Sequence, residues 1–440
     1  MTSEVVVMNS LAVALATDSA ATVSSGNDHK VYKSVDKLFM LSKRHPVGVM
    51  VYNNASLLGI PWQTILKMFR ETLGTDELPS LVDYGKALIQ YLNKNDHLFP
   101  WEAQKHFYLQ MLETLYRGIH TGVTSRVIRE LQQGKKPDRE AIAHEMILEA
   151  HKDWEKELPA DCFDADVGKA LVGRASPDIH NLTTRSFPNL KLRGETVDAL
   201  RDLATFAISK RRIVSETISG LVIAGFGKEE YFPVMQTYEL GEVYMGELKY
   251  QETHTERISV SNRSFVKPFA HSDMVDTFLS GISPRFELRM VEEIVNLALR
   301  LPDEVIDAIT DLSARKRQQW KERVRVQSEE AVTQIVERFA DHRRKGHLAP
   351  IYEAITNSPK DELAQIAAWL VNLNSQQKRM SMGPETVGGP IDVAVISKGD
   401  GFIWIDRKHY FRPELNHHFF RNYDAKLLRG RHHDKETQSV

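Results

Sequence analysis

Thr2 and Asp18 are the residues of this chain best placed to do chemistry. The chain opens Met1-Thr2-Ser3-Glu4-Val5-Val6-Val7-Met8. An initiator methionine before a small residue is usually trimmed, and its loss would leave threonine at the N-terminus. A free N-terminal threonine holds both halves of a catalytic pair: the hydroxyl attacks, and the α-amine takes the hydroxyl proton. That amine titrates at about 8, so part of it is unprotonated at neutral pH. An apolar run follows and ends in the polar turn Ala16-Thr17-Asp18-Ser19. Strand-turn-strand geometry can return Asp18 to the level of Thr2. Hydrolysis of a peptide or other amide needs a nucleophile, a proton acceptor and an oxyanion stabiliser, and this end of the chain offers the first two.

Other chemistry is poorly served. Cys162 is the only cysteine, so no intramolecular disulfide can form, which fits a reducing cytoplasm. It has no histidine nearby in Ala160-Asp161-Cys162-Phe163-Asp164. His417, His418, His432 and His433 fall in two pairs without ligand-like spacing to carboxylates, and read as a surface tail. Ala224-Gly225-Phe226-Gly227 is not a dinucleotide fingerprint, because no glycine-rich turn opens a helix after it. No cofactor and no metal are expected.

The opening resembles that of a proteasome β-subunit or its bacterial HslV and Anbu-type relatives, which are N-terminal-nucleophile (Ntn) hydrolases. In that family a threonine leads the mature chain, a strand follows, and an aspartate comes sixteen residues after the nucleophile, as from Thr2 to Asp18. Val35-Asp36-Lys37-Leu38-Phe39-Met40 places Lys37 where the family carries its catalytic lysine. Pro46-Val47-Gly48-Val49-Met50-Val51-Tyr52-Asn53-Asn54 resembles the strand and turn that supply the oxyanion-hole amide, with Asn53 in place of a glycine. Thr386-Val387-Gly388-Gly389-Pro390 resembles a late turn of the family. Pro384 and Val387 stand where that turn has an aspartate and a serine, and Glu385 and Thr386 are the nearest polar substitutes. Ser261, or Ser259 beside it, matches a supporting serine.

The resemblance implies an α+β protein, a four-layer αββα sandwich with large helical insertions. It implies that Thr2 attacks, Lys37 lowers the hydroxyl pKa, Asp18 holds Lys37 charged, and an N–H near Asn53 faces the oxyanion. It also implies a homo-oligomer, a ring or stacked rings, acting on a peptide or amide substrate. An inactive scaffold or binding protein on the same fold is the alternative, and a small-molecule amidase a third.

The elements that position these residues are legible as period and punctuation. Residues 4–16, 30–41 and 46–53 read as strands, apolar on both faces as in a layered core. Asn9-Ser10 suits a tight turn. Residues 62–69 and 81–92 read as helices. Residues 99–210 are charged and mostly helical, with 172–190 read as loop around Gly173, Pro177 and Pro188. Strands return at 213–226, 233–238 and 242–250, with a turn at 239–242. Residues 268–380 read as helices, broken near Pro302. Strands at 386–397 and 401–405 close a hairpin around Asp400-Gly401.

These readings divide the chain into core at 2–98, a helical insertion at 99–210, a second sheet at 211–267, a helical region at 268–380, closing strands at 381–412 and a basic tail at 413–440. Hydrophobic residues make up 42% and charged residues 26% of the 440, and the formal net charge is −2. That balance excludes a broadly basic nucleic-acid or membrane surface. No apolar run approaches the roughly 18 residues of a membrane span, and the N-terminus does not read as a signal peptide. A cytoplasmic location is expected.

Overall fold

The structure is a computed structural model, and it describes residues 2–421 except 26–27, 76, 94, 164, 215–217, 383–386 and 420. It is a mixed α+β chain built on two five-stranded antiparallel sheets and two short hairpins. In chain order the elements begin with β1 (Ser3–Asn9), β2 (Ala12–Thr17), β3 (Ala21–Ser25), β4 (Asp28–Tyr32), β5 (Leu38–Met40), β6 (Val47–Asn53), β7 (Ser56–Leu57) and β8 (Ile60–Pro61). Seven helices follow: α1 (Trp62–Leu73), α2 (Leu81–Leu92), α3 (Trp101–Gln132), α4 (Arg139–Glu155), α5 (Ala165–Arg174), α6 (Ser176–Ser186) and α7 (Gly194–Ser209). Then come β9 (Ser219–Gly225), β10 (Val234–Tyr244), β11 (Glu247–Arg257) and β12 (Ser264–Ala270). The chain continues through α8 (Asp273–Ser280), α9 (Pro284–Ala308), α10 (Ala314–Arg343), α11 (Ala349–Asn357) and α12 (Lys360–Met380), and closes with β13 (Asp392–Ser397) and β14 (Gly401–Asp406).

The fold divides into two compact units. The first holds the described parts of residues 1–35, 258–395 and 403–422. The second holds those of 36–257 and 396–402. In the first unit the strand order is β12-β1-β2-β13-β14. One sheet face packs on helices: Val5, Val7, Ala12, Ala14 and Val266 share a core with Val275 of α8, Ile355 of α11 and Leu363, Ala367, Leu370 and Val371 of α12. The α12 positions recur every three to four residues, so one stripe faces the sheet. Asp361 and Glu362 in its first turn and Lys378 and Arg379 in its last complement the helix dipole.

The second unit has the order β11-β10-β9-β6-β5. Trp62, Ile65, Leu66 and Phe69 of α1, with Leu81, Leu88 and Leu92 of α2, bury against Val49, Val51, Leu221, Ile223 and Leu240. Burying each such side chain stabilises the fold by about 1.5–3 kcal/mol. The second helix starts on a capping box: the Asp83 carboxylate accepts from the Ser80 N–H at 3.0 Å and the Ser80 hydroxyl at 2.7 Å. Helices α3–α7 form their own core around Tyr108, Tyr116, Trp154, Leu200 and Leu203. Tyr108 and Tyr116 stay fully buried because their hydroxyls donate to the carbonyls of Ala204 and Leu200.

Several sequence readings need correction. Of residues 172–190 read as loop, 172–174 end α5 and 176–186 form α6, and the stretch around Pro188 is loop as read. Pro177 opens α6, where its missing N–H costs nothing. The turn at 239–242 is instead an irregularity within continuous β10, with a register shift between Leu240 and Val243. The reversal comes at Met245 and Gly246, whose φ values of 53° and 81° suit a two-residue hairpin. Residues 30–41 split into β4 and β5, and α9 runs through Pro302 unbroken. Strand β12 was missed outright: Pro268 sits within it, and proline argues against a strand except at a sheet edge, which is where β12 lies.

Gly225 ends β9 with a φ of 143°, where an added Cβ would collide with the Pro46 carbonyl. That carbonyl accepts from the Phe226 N–H at 3.0 Å, so it cannot withdraw freely. Gly225→Ala should destabilise the chain by on the order of 3 kcal/mol, read as a lower urea midpoint. A midpoint equal to wild type would show that this corner relaxes.

Candidate functional site

The hairpin register explains how Asp18 returns to the start of β1. Strands β1 and β2 pair Glu4 with Thr17 and Val7 with Ala14. One step further sets Ser3 opposite Asp18: the Asp18 N–H donates to the Ser3 carbonyl at 3.0 Å. The carboxylate turns back along the ladder, and its Oδ1 accepts the Ser3 N–H at 3.0 Å. Its Oδ2 accepts the Gly388 N–H at 2.8 Å, while the Gly388 carbonyl accepts from the Ser19 N–H at 3.2 Å. Asp18 is fully buried. It therefore ties the residue after Thr2 to the double-glycine turn near the other end of the chain. Gly389 in that turn has a φ of 84°, and a Cβ there would lie 2.9 Å from the Lys33 carbonyl, so the position favours glycine.

Thr2 is buried, 5% exposed. Its carbonyl accepts from the His271 N–H at 2.8 Å, which extends the β1–β12 ladder by one residue. Side chains alternate along a strand, so Thr2 shares a face with Glu4, and Ser3 points the other way. On that other side Asn374 of α12 is fully buried. Its Nδ2 donates to the Ser3 hydroxyl at 2.8 Å and the His271 carbonyl at 2.7 Å. On Thr2's face the fully buried Glu4 accepts from the Thr17 hydroxyl at 3.4 Å. Burial pushes the His271 imidazole pKa down, and the Lys378 charge adds to the effect.

Sequence reasoning missed Glu4, His271 and Asn374. Only Asn374 left a clear signal, as the one amide at the end of the apolar stripe Leu363, Ala367, Leu370, Val371.

Lys37 and Asn53 belong to the second unit. Lys37 is buried and leads into β5, and its carbonyl accepts from the Val51 N–H at 2.9 Å. Asn53 ends β6 with a φ of 65°, in the left-handed region that asparagine tolerates better than most residues. The next N–H, of Asn54, donates to the Ile218 carbonyl at 3.2 Å. Nearby, the Glu242 carboxyl accepts from the Leu58 N–H at 2.7 Å and pins the β7–β8 turn.

Ser261 is exposed in the loop between β11 and β12, with its hydroxyl 3.1 Å from that of Ser259. Glu385 lies outside the described residues, as do His432 and His433. Burial pushes the Cys162 thiol pKa up, which disfavours the reactive thiolate. Among the described residues no group of three or more His, Cys, Asp or Glu could hold a metal ion, and no helix is long and apolar enough to cross a membrane.

No family model matches the chain, and no curated protein matches it. Solved structures similar to it include Anbu (ancestral beta-subunit) from Yersinia bercovieri, at 10% identity over 97% of this chain and 97% of that one, with a TM-score of 0.28. Anbu from Hyphomicrobium sp. strain MC1 is similar at 9% identity, covering 100% of this chain and 97% of that one, with a TM-score of 0.30.

Two measurements test this geometry. Asp18→Ala leaves two buried N–H groups without an acceptor, at about 1–3 kcal/mol each. Asp18→Asn keeps one carbonyl acceptor and should cost clearly less in denaturant unfolding. Equal losses in the two variants would contradict the double role of the carboxylate.

The second measurement concerns Glu242, whose pKa burial raises from 4.5 to about 8. The folded chain holds this proton more tightly than the unfolded chain. Its stabilising effect is therefore complete below about pH 4.5 and is lost as pH rises toward 8. Relative to Glu242→Gln, the wild-type chain should lose up to ~1.4 kcal/mol of stability per pH unit across that window. A pH-independent difference between the two would mean that the carboxyl is ionised in the fold.

Proposed function

We propose that this chain is a proteasome-like N-terminal threonine hydrolase that cleaves peptide or other amide bonds once Met1 is removed. The Asp18 clamp carries the reading. A buried carboxylate that accepts the Ser3 N–H fixes the main chain one residue after Thr2, which is what a nucleophile borne on a chain terminus requires. The sixteen-residue spacing and the resemblance of the Lys37 and Gly388-Gly389 segments support it further.

In this reading the Thr2 Oγ1 attacks the substrate carbonyl while its proton passes to the α-amine of the same residue. The tetrahedral intermediate collapses, the amine leaving group takes that proton, and an ester links the acyl group to Thr2. Water, deprotonated by the α-amine, then releases the acid and restores the hydroxyl. Lys37 lowers the hydroxyl pKa and Asp18 keeps Lys37 charged. A main-chain N–H at the Asn53 turn faces the oxyanion, a donor whose loss typically costs about 10²–10³ in rate. Ser261 and Glu385 are assigned supporting roles. The working form is a homo-oligomer, a ring or stacked rings, in the cytoplasm.

One observation favours an inactive scaffold: Val387, buried beside Gly388, stands where the resembled family has a serine. The decisive measurement is the intact mass of the purified protein, followed by labelling with a threonine-directed electrophile. The mass should fall short of the full chain by one methionine, and the label should map to Thr2. Thr2→Ala should abolish hydrolysis of a fluorogenic peptide panel, and Lys37→Ala should reduce it at least ~100-fold. Retention of Met1 would leave the scaffold reading standing. Turnover that persists in Thr2→Ala would move the active site elsewhere.

A further inference from the structure

The helical block of the second unit holds a cleft far in sequence from Thr2, Asp18 and Lys37. It opens between α5, α6, α7 and the segment that joins the last two, with a cavity volume of about 260 Å³. Val172, Ile179, Phe187 and Leu190 give it an apolar floor. Arg201 of α7 and His180 of α6 also line it, and among the described residues no acidic side chain does. Arg201 is exposed, and the described residues offer its guanidinium no carboxylate partner. The hydroxyls of Thr183 and Thr184 are already spent on the carbonyls of Ile179 and His180. The cleft's strongest free polar group is therefore a cation beside an apolar floor.

We propose that this cleft binds a small molecule that joins a compact apolar body to a carboxylate. The volume supports the size. A dry apolar cavity of about 150 Å³ accepts benzene, so this one has room for a ring-sized body and a charged head. The charge supports the head group, because guanidinium binds carboxylate through two parallel hydrogen bonds. The same chemistry is presented by a free carboxylic acid and by the apolar C-terminal residue of a peptide.

Calorimetric titration of the full chain tests this with four probes: 4-phenylbutanoate, its neutral amide, and a leucine-terminated tetrapeptide with a free or an amidated C-terminus. 4-Phenylbutanoate should bind saturably, and its amide at least roughly tenfold more weakly. Binding of the free-acid peptide would extend the ligand to peptide C-termini, and its failure would confine it to free acids. Arg201→Gln, at an exposed position, should keep the wild-type melting temperature and lose roughly tenfold in affinity. Val197→Trp fills the mouth, where Val197 is 39% exposed, and should abolish binding with the fold intact. Absence of saturable binding by 4-phenylbutanoate, equal affinity for acid and amide, or wild-type affinity in either variant would overturn the proposal.

Discussion

One buried carboxylate organises the first unit. Asp18 is fully buried, and N–H groups around it help to fix its position. Among them are those of Ser3 and Gly388. Hydrogen bonds to an ionised acceptor are roughly twice as strong as neutral ones. A carboxylate held this way gives the end of β1 a fixed place. Asn374 does the same on the other side of β1, where its single amide group reaches Ser3 and the His271 carbonyl. The start of the chain is therefore held by polar contacts on one side and by the β12 ladder on the other. A strand end left to fray would be a poor platform for a nucleophile.

Much of this was visible in the sequence, because hairpin registers are arithmetic. An apolar run, a short turn and a second apolar run bring the residues near 18 back to the start of β1, but the reversal lies at Ser10-Leu11, one residue beyond Asn9-Ser10, and this shift sets residue 18 opposite residue 3. The first helices of the second unit were equally plain, since Trp62, Ile65, Leu66 and Phe69 mark one face. Other features were not visible, for identifiable reasons. Pro268 disguised β12, because its cost depends on whether the strand lies at an edge, and edge position is a property of the whole sheet. Gly241 looked like a turn, whereas the hairpin reverses four residues later at Met245-Gly246. Glu4 reads as an ordinary polar residue at a strand start, and only the structure reveals its complete burial on the face that Thr2 shares. His271 lies more than 250 positions from Thr2, and nothing local connects them.

The two units use buried polar groups differently. In the first, the buried carboxylate of Asp18 gathers main-chain donors. In the second, Glu242 meets one main-chain donor and burial raises its pKa. Lys249, also buried, donates to the carbonyls of Ala207 and Arg212 at 2.7 and 2.6 Å, and burial lowers its pKa to about 7. Groups of this kind make a sheet selective about its neighbours, because a wrong register would leave them without partners.

The contact between Asp18 and Gly388 spans 370 positions of the chain. At 5–20 residues per second a ribosome takes roughly tens of seconds to deliver the second partner after the first. For that time β1 and β2 exist with neither the double-glycine turn nor β13 beside them. A nascent chain thus carries its threonine in an unfinished setting, and the clamp can close only once Gly388 has been made. Loops of such length also make folding slow, because their closure entropy precedes any reward. The topology therefore imposes an order on assembly: the start of β1 reaches its final setting only after the double-glycine turn exists to meet Asp18.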